Sequence, residues 1–244
     1  MQRTRNLNEH KKSTSGRSSF KQKERKKERN VRLYQRIPRM DCKDCARGRL
    51  QKTLELVCAL PEFKSARRLI DLGGGGDGLF AIGFAQESPN LEVIVYDQPE
   101  IIGIIGLACN YIEKYSIQDR VRVLSGDYVQ EDIGIGYDIV FEALSLEGGK
   151  RGAKILYQMV ADILNPGGLF ITQLFTLDDS ETSPLSTLTL DLKEKITEHK
   201  QIHLMTNKRL FDLFDEVGLA GEQILNIPMG TDLQIRMVIA RKKS

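Results

Sequence analysis

Four consecutive glycines, Gly73 to Gly76, followed by Asp77-Gly78, stand between a short apolar run ending in Asp71-Leu72 and a segment of helical period that opens at Leu79. Without Cβ atoms such a stretch can take positive φ and let a ligand lie against its backbone, while the N–H groups opening the next helix point at that ligand. The chemistry this favours is the cradling of a nucleotide-like cofactor. A glycine-rich βα turn with no ligand is the plainer alternative. Gly73, Gly75 and Gly78 also satisfy the G-x-G-x-x-G spacing of a dinucleotide-binding fold. Asp97 closes a second apolar run 24 residues beyond Gly73, where a carboxylate can accept hydrogen bonds from both ribose hydroxyls of a nucleoside. A third run is followed by Gly126-Asp127-Tyr128. There a carboxylate can receive the exocyclic amine of adenine and an aromatic ring can border the base.

These residues need strands and helices to bring them together. Strands are predicted over 68–72, 91–96, 121–124, 137–142 and 168–175, with helices over 79–87, 99–115 and 151–164 between most of them. That alternation predicts a Rossmann-like α/β fold with binding at the carboxyl ends of parallel strands. The chain then changes character. A helix over 207–217 closes at Gly218, and strands over 222–227 and 233–240 flank a short turn, which implies a C-terminal antiparallel hairpin. Upstream, Leu50, Leu54, Val57 and Leu60 give a helix from about 41 to 60 one apolar stripe, ended by Pro61.

The 244 residues allow one sizeable α/β domain plus an appendage. The expected organisation is a disordered basic tail over 1–30, a helical segment over 31–65 and the main domain over 66–244. The net charge of +3 conceals a division: residues 1–40 hold 14 Lys and Arg against 3 Glu, leaving 22 basic and 30 acidic residues for the remainder. A polybasic segment of this kind suits attachment to nucleic acid or an anionic membrane surface, or else simply solubilises the chain. No apolar run reaches the length of a membrane span, and the first residues carry neither the apolar core nor the cleavage site of a secretory signal. A cytoplasmic location is the expectation. Four cysteines are too few for a disulfide framework in a chain this long. Cys42 and Cys45 have C-x-x-C spacing, with Cys58 a candidate third ligand, but no second pair or nearby histidine completes a zinc site. His199 and His203 lie four apart without an evident third ligand, so no metal is expected.

Taken in order, Asp71-Leu72-Gly73-Gly74-Gly75, Tyr96-Asp97-Gln98-Pro99-Glu100, Gly126-Asp127-Tyr128 and Asn165-Pro166-Gly167-Gly168 resemble the S-adenosylmethionine-dependent methyltransferase fold. More narrowly, the chain is similar to small-molecule O-methyltransferases of the caffeate and acetylserotonin type, whose second strand ends in Asp-x-Pro-Glu. The resemblance spans about residues 66–241. It implies a seven-stranded, mostly parallel sheet with the terminal hairpin, and S-adenosylmethionine as cofactor. It further implies that Gly73, Gly74 and Gly75 line the methionine part, that Asp71 orients the loop from below, that Asp97 with Gln98 holds the ribose, and that Asp127 with Tyr128 frames the adenine. A nicotinamide dehydrogenase predicts neither the hairpin nor the Gly-Asp after the third strand. The spacing from Asp71 to Asp97 is one residue longer than usual, which places the extra residue within Gly76-Asp77-Gly78.

The resemblance implies a catalytic histidine after the fourth strand, and here the chain departs from it. The corresponding stretch is Glu142-Ala143-Leu144-Ser145-Leu146-Glu147-Gly148-Gly149, in which Ser145 or Leu146 takes the histidine's place. The three histidines of the chain are His10, His199 and His203, and Glu142 and Glu147 are alternative bases. The resemblance also implies an N-terminal dimerisation domain, which is expected to be missing or reduced here, since about 65 residues precede the first core strand. The leading expectation is methyl transfer to a small, aromatic or heteroaromatic acceptor at oxygen or carbon, without the usual histidine. Two others stand beside it: an RNA or protein methyltransferase docked by the basic tail, and a non-catalytic S-adenosylmethionine-binding protein in regulation or assembly.

Overall fold

A computed structural model describes residues 48–101, 107–128, 130–145, 152–197, 204–228 and 234–244. The elements in order are α1 (Leu50–Cys58), α2 (Pro61–Ser65), β1 (Arg68–Leu72), α3 (Leu79–Glu87), β2 (Glu92–Asp97), α4 (Leu107–Lys114), β3 (Val121–Ser125) and β4 (Tyr137–Ala143). They continue through α5 (Ala153–Ile163), β5 (Leu164–Leu174), β6 (Thr176–Leu177), α6 (Leu185–Thr197), β7 (Met205–Thr206), α7 (Asn207–Glu216), β8 (Leu219–Pro228) and β9 (Gln234–Lys242). Seven strands form one sheet in the order β3-β2-β1-β4-β5-β9-β8. The neighbours from β3 to β5 pair in parallel, and β9 runs antiparallel between β5 and β8. The mostly parallel sheet and its terminal hairpin are thus as expected. The small parallel pair β6–β7 was not.

Alternation along the strands sorts the apolar residues onto two faces. Leu69, Val93, Val95, Ile139, Phe141, Leu169 and Ile171 face α1 to α4 in one cluster that includes Phe63, Phe80 and Phe84. Ile70, Ile94, Val140, Phe170 and Val238 face the other way, against Tyr157, Val160, Leu210 and Phe214 of α5 and α7. Both clusters are rich in ring contacts, such as Phe80–Phe141 at 5.0 Å and Tyr157–Phe214 at 4.9 Å between centroids. Because β1 is buried on both faces, its run Leu69-Ile70-Asp71-Leu72 carries no polar–apolar alternation.

Pro61 does more than stop α1, since it begins a second short helix at a position that needs no N–H donor. α1 then lies close against α3, where a Cβ on Gly83 would stand 2.8 Å from the Leu54 side chain. β5 starts at Leu164 rather than 168: Leu164 pairs with Tyr137 ahead of an irregularity that resets the register at Ile139–Leu169. Among the described residues no helix is long and apolar enough to cross a membrane.

Candidate functional site

The strand order places the ends of β1, β2, β3 and β4 on one edge, at the point where connections change direction between β1 and β4. The loop from Gly73 to Gly78 rises from that edge. Its first two N–H groups are tied to Tyr96 O of β2, Gly73 at 2.7 Å and Gly74 at 3.4 Å. The third, on Gly75, donates to Asp97 Oδ2 at 3.0 Å, while the Gln98 N–H donates to Asp97 Oδ1 at 2.6 Å. Each carboxylate oxygen has a second lone pair, so Asp97 retains acceptor capacity for the two ribose hydroxyls expected of it. Burial raises the Asp97 pKa, and the two backbone donors oppose that rise.

The glycines answer to different needs. A Cβ on Gly73 would lie 2.1 Å from the Ser145 Cβ, and one on Gly74 would lie 2.8 Å from Val95 and 2.9 Å from Asp71 Oδ2. Protein atoms fill the space at those two positions. At Gly75, with φ +72, the nearest atom to a Cβ would be Asp77 Oδ1 at 3.7 Å, so this residue leaves room beside the loop.

Asp71 sits beneath, 1% exposed. Burial, and then the charges of Asp97, Asp77 and Glu142, push its pKa up to about 8 against a single opposing bond from the Ala81 N–H. Its Oδ2 has no hydrogen-bond partner. Four carboxyl groups therefore share the floor of the loop.

Asp127 and Tyr128 arrive beside Asp97 because Ser125 is in register with Asp97 and the Gly126 N–H donates to Asp97 O at 3.0 Å. The Asp127 carboxylate accepts from Gln130 Nε2 at 3.0 Å. Tyr128 meets Tyr96 edge-on at 6.4 Å between centroids. All eight residues expected to bind cofactor, Asp71, Gly73, Gly74, Gly75, Asp97, Gln98, Asp127 and Tyr128, are brought to one edge of the sheet.

Across the switch point, Ser145 occupies the stretch where a histidine was expected. Its hydroxyl donates to Leu72 O at 2.7 Å and its N–H to Glu142 Oε1 at 2.7 Å. Glu142 is buried and also receives the Thr172 hydroxyl. Leu146, Glu147 and all three histidines lie outside the described residues, as do Cys42 and Cys45. Cys58 is half-buried, and burial together with the charge of Glu87 pushes its thiol up to about 12, unfavourable to a thiolate ligand.

Sequence reasoning passed over a second buried polar group on the far side of β4. Gln173, near the end of β5, donates from Nε2 to Thr53 Oγ1 at 2.6 Å and accepts from Arg49 Nε at 2.9 Å. Arg49, at the N-cap of α1, is in helical spacing with Thr53 and Val57 on one face of that helix, so polar residues continuing an apolar stripe were the available signal.

The chain belongs to the O-methyltransferase domain family, whose model matches residues 4–210. It is 38% identical over 149 residues to an uncharacterized protein of Methanocaldococcus jannaschii, a match covering 61% of this chain and 38% of that one. An O-methyltransferase family protein of Burkholderia thailandensis is similar in structure, with a TM-score of 0.65 and 22% identity over 84% of this chain and 60% of that one. So is human N-acetylserotonin methyltransferase in complex with SAM, with a TM-score of 0.59 and 20% identity over 78% of this chain and 50% of that one. The matches therefore span less than two thirds of the length of each of these proteins. The two structural likenesses bear on the fold.

Proposed function

We propose that the chain binds S-adenosylmethionine over the glycine loop and transfers its methyl group to a small aromatic or heteroaromatic acceptor, at oxygen or carbon. The observation that carries this reading is the negative floor of the loop. The charges of Asp97, Asp77 and Glu142 act on Asp71. That field suits a cationic ligand and repels the diphosphate of a dinucleotide. The residues present fit the cofactor: Gly75 leaves room, Asp97 keeps lone pairs for the ribose, and Asp127 with Tyr128 stands where an adenine would be framed. Gly73 and Gly74 would contribute backbone along the methionine part, with Gln98 beside the ribose. Family membership and the SAM complex of the human neighbour support the same cofactor.

Bound there, S-adenosylmethionine supplies an electrophilic methyl group on a sulfonium. The chain's own part is to hold that cofactor and to align the acceptor with it, and positioning supplies much of the acceleration when the acceptor is already acidic. This accommodates a site without a catalytic imidazole. Ser145 has its proton committed to Leu72 O, and Glu142 is occupied in fixing Ser145 and Thr172. The same observation favours, as a second reading, a non-catalytic protein that binds S-adenosylmethionine in a regulatory role. Methyl transfer to any member of a hydroxy-aromatic panel ends that alternative.

Thermal unfolding of the whole chain tests the cofactor. S-adenosylhomocysteine raises Tm in a concentration-dependent way and NAD does not. Stabilisation by NAD alone removes the reading. Asp97→Ala weakens S-adenosylhomocysteine binding by about 1.5–3 kcal/mol, the worth of hydrogen bonds to a charged group, as read by calorimetric titration.

A further inference from the structure

A cation is buried on the β5 side of this edge, and among the described residues no anion is paired with it. Arg49 is 3% exposed. Its Nε is occupied by Gln173 Oε1 and its guanidinium lies 5.3 Å over the Phe80 ring. Its Nη2 is buried without a hydrogen-bond partner. Among the described residues no carboxylate forms an ion pair with it. A glutamine oxygen and an aromatic face offset part of the cost of removing a guanidinium from water, but a charge partner is what such a group ordinarily has.

Its position says which partner. Phe80 belongs to the first turn of α3, directly after the glycine loop, and Gln173 O receives the Leu144 N–H beside Ser145. Arg49 thus stands at the same edge as the candidate cofactor site. Asp97 on β2 and Gln173 on β5 lie on opposite sides of the β1–β4 pair. With the ribose held on the β2 side, the β5 side is left for the acceptor.

We infer that Arg49 is the acceptor's anchor: a buried guanidinium whose free Nη2 takes an ionised oxygen, so that the substrate is a small molecule bearing a carboxylate. The carboxyl groups under the loop disfavour a phosphate dianion, whereas a monoanion needs only the one charge-assisted hydrogen bond that Nη2 offers. The inference rests on the methyl-transfer reading for the word acceptor, but the anion site stands on Arg49 itself.

The test uses the full chain, with benzoate and its neutral counterpart benzamide as probes, each with and without saturating S-adenosylhomocysteine. Benzoate is expected to bind more tightly than benzamide by on the order of tenfold, as one charge-assisted hydrogen bond provides, and to raise Tm where benzamide does not. In Arg49→Met that preference disappears, the S-adenosylhomocysteine shift persists, and the Tm without ligand is equal to or above that of the wild type, because a buried unpaired charge has been removed. Arg49→Lys keeps part of the preference. Equal response to the two probes in the wild type overturns the inference. So does a benzoate preference that survives in Arg49→Met, or a lowered ligand-free Tm in that variant, which marks Arg49 as structural. Failure of Arg49→Met to fold counts with a lowered Tm and overturns the inference as well. A benzoate shift without an S-adenosylhomocysteine shift leaves the anion site standing and removes the methyl-transfer reading; the reverse removes only the anchor.

Discussion

Asp71 and the glycines above it make opposite demands on the same few ångströms. A carboxyl whose pKa is 3.8 in the unfolded chain and about 8 in the fold keeps, between those values, a proton that the unfolded chain has released. Stability therefore falls as pH rises from about 4 to 8, by up to about 1.4 kcal/mol per pH unit, and levels off above. Asp71→Asn cannot ionise, so its urea midpoint is expected to change much less than the wild type's between pH 5.5 and 8 and to exceed it at pH 8. Gly73 and Gly75 both have positive φ, +69 and +72, yet their substitutions separate. Gly75→Ala meets backbone strain alone, about 1 kcal/mol. Gly73→Ala must in addition displace the Ser145 side chain from Leu72 O, which brings the cost to about 2–4 kcal/mol in chemical denaturation. The need for glycine was legible at these positions; the reason at Gly73 was not, because Ser145 lies 72 residues away and only the β1–β4 pairing brings it there.

The close approach of α1 to α3 decides where Arg49 lies. Gly83→Val would drive methyl groups into Leu54 and lose about 1–3 kcal/mol to overpacking; it is also expected to weaken the benzoate preference while sparing S-adenosylhomocysteine binding, since α1 carries Arg49 and the loop does not move with it. Strongly patterned elements were readable to the residue: β1 at 68–72 and α3 at 79–87. The apolar continuity of β1 and the glycine that caps α3 leave little choice. α6 went unread because its pattern is inverted. Thr187 is buried while Leu185, Leu192 and Ile196 are exposed, so the apolar positions do not report the packed face. The start of β5 was placed four residues late for a different reason. Asn165-Pro166-Gly167-Gly168 has turn composition, yet the chain pairs with β4 on both sides of it.

Over the whole molecule, charge and topology divide the work. The positive excess lies entirely in residues 1–40, the remainder being net negative, and the loop floor is acidic. If the acceptor is a small molecule, removal of residues 1–30 leaves the S-adenosylhomocysteine affinity unchanged at every salt concentration; loss of salt-sensitive retention on RNA together with activity would instead favour a macromolecular substrate. The parallel pairing of the first strands could be expected from the alternation of elements, but the seat of Arg49 could not, since it joins the start of α1 to β5 across 124 residues. The hairpin carries one more implication, for biosynthesis. β9 is the last of the described strands to leave the ribosome, yet it lies inside the sheet between β5 and β8 and supplies Met237 and Ile239 to one apolar face and Val238 and Ala240 to the other. Until it emerges, β5 has an open edge and both faces lack a wall. A nascent chain stalled before residue 234 is thus a natural client for chaperones, however completely its glycine loop has already formed.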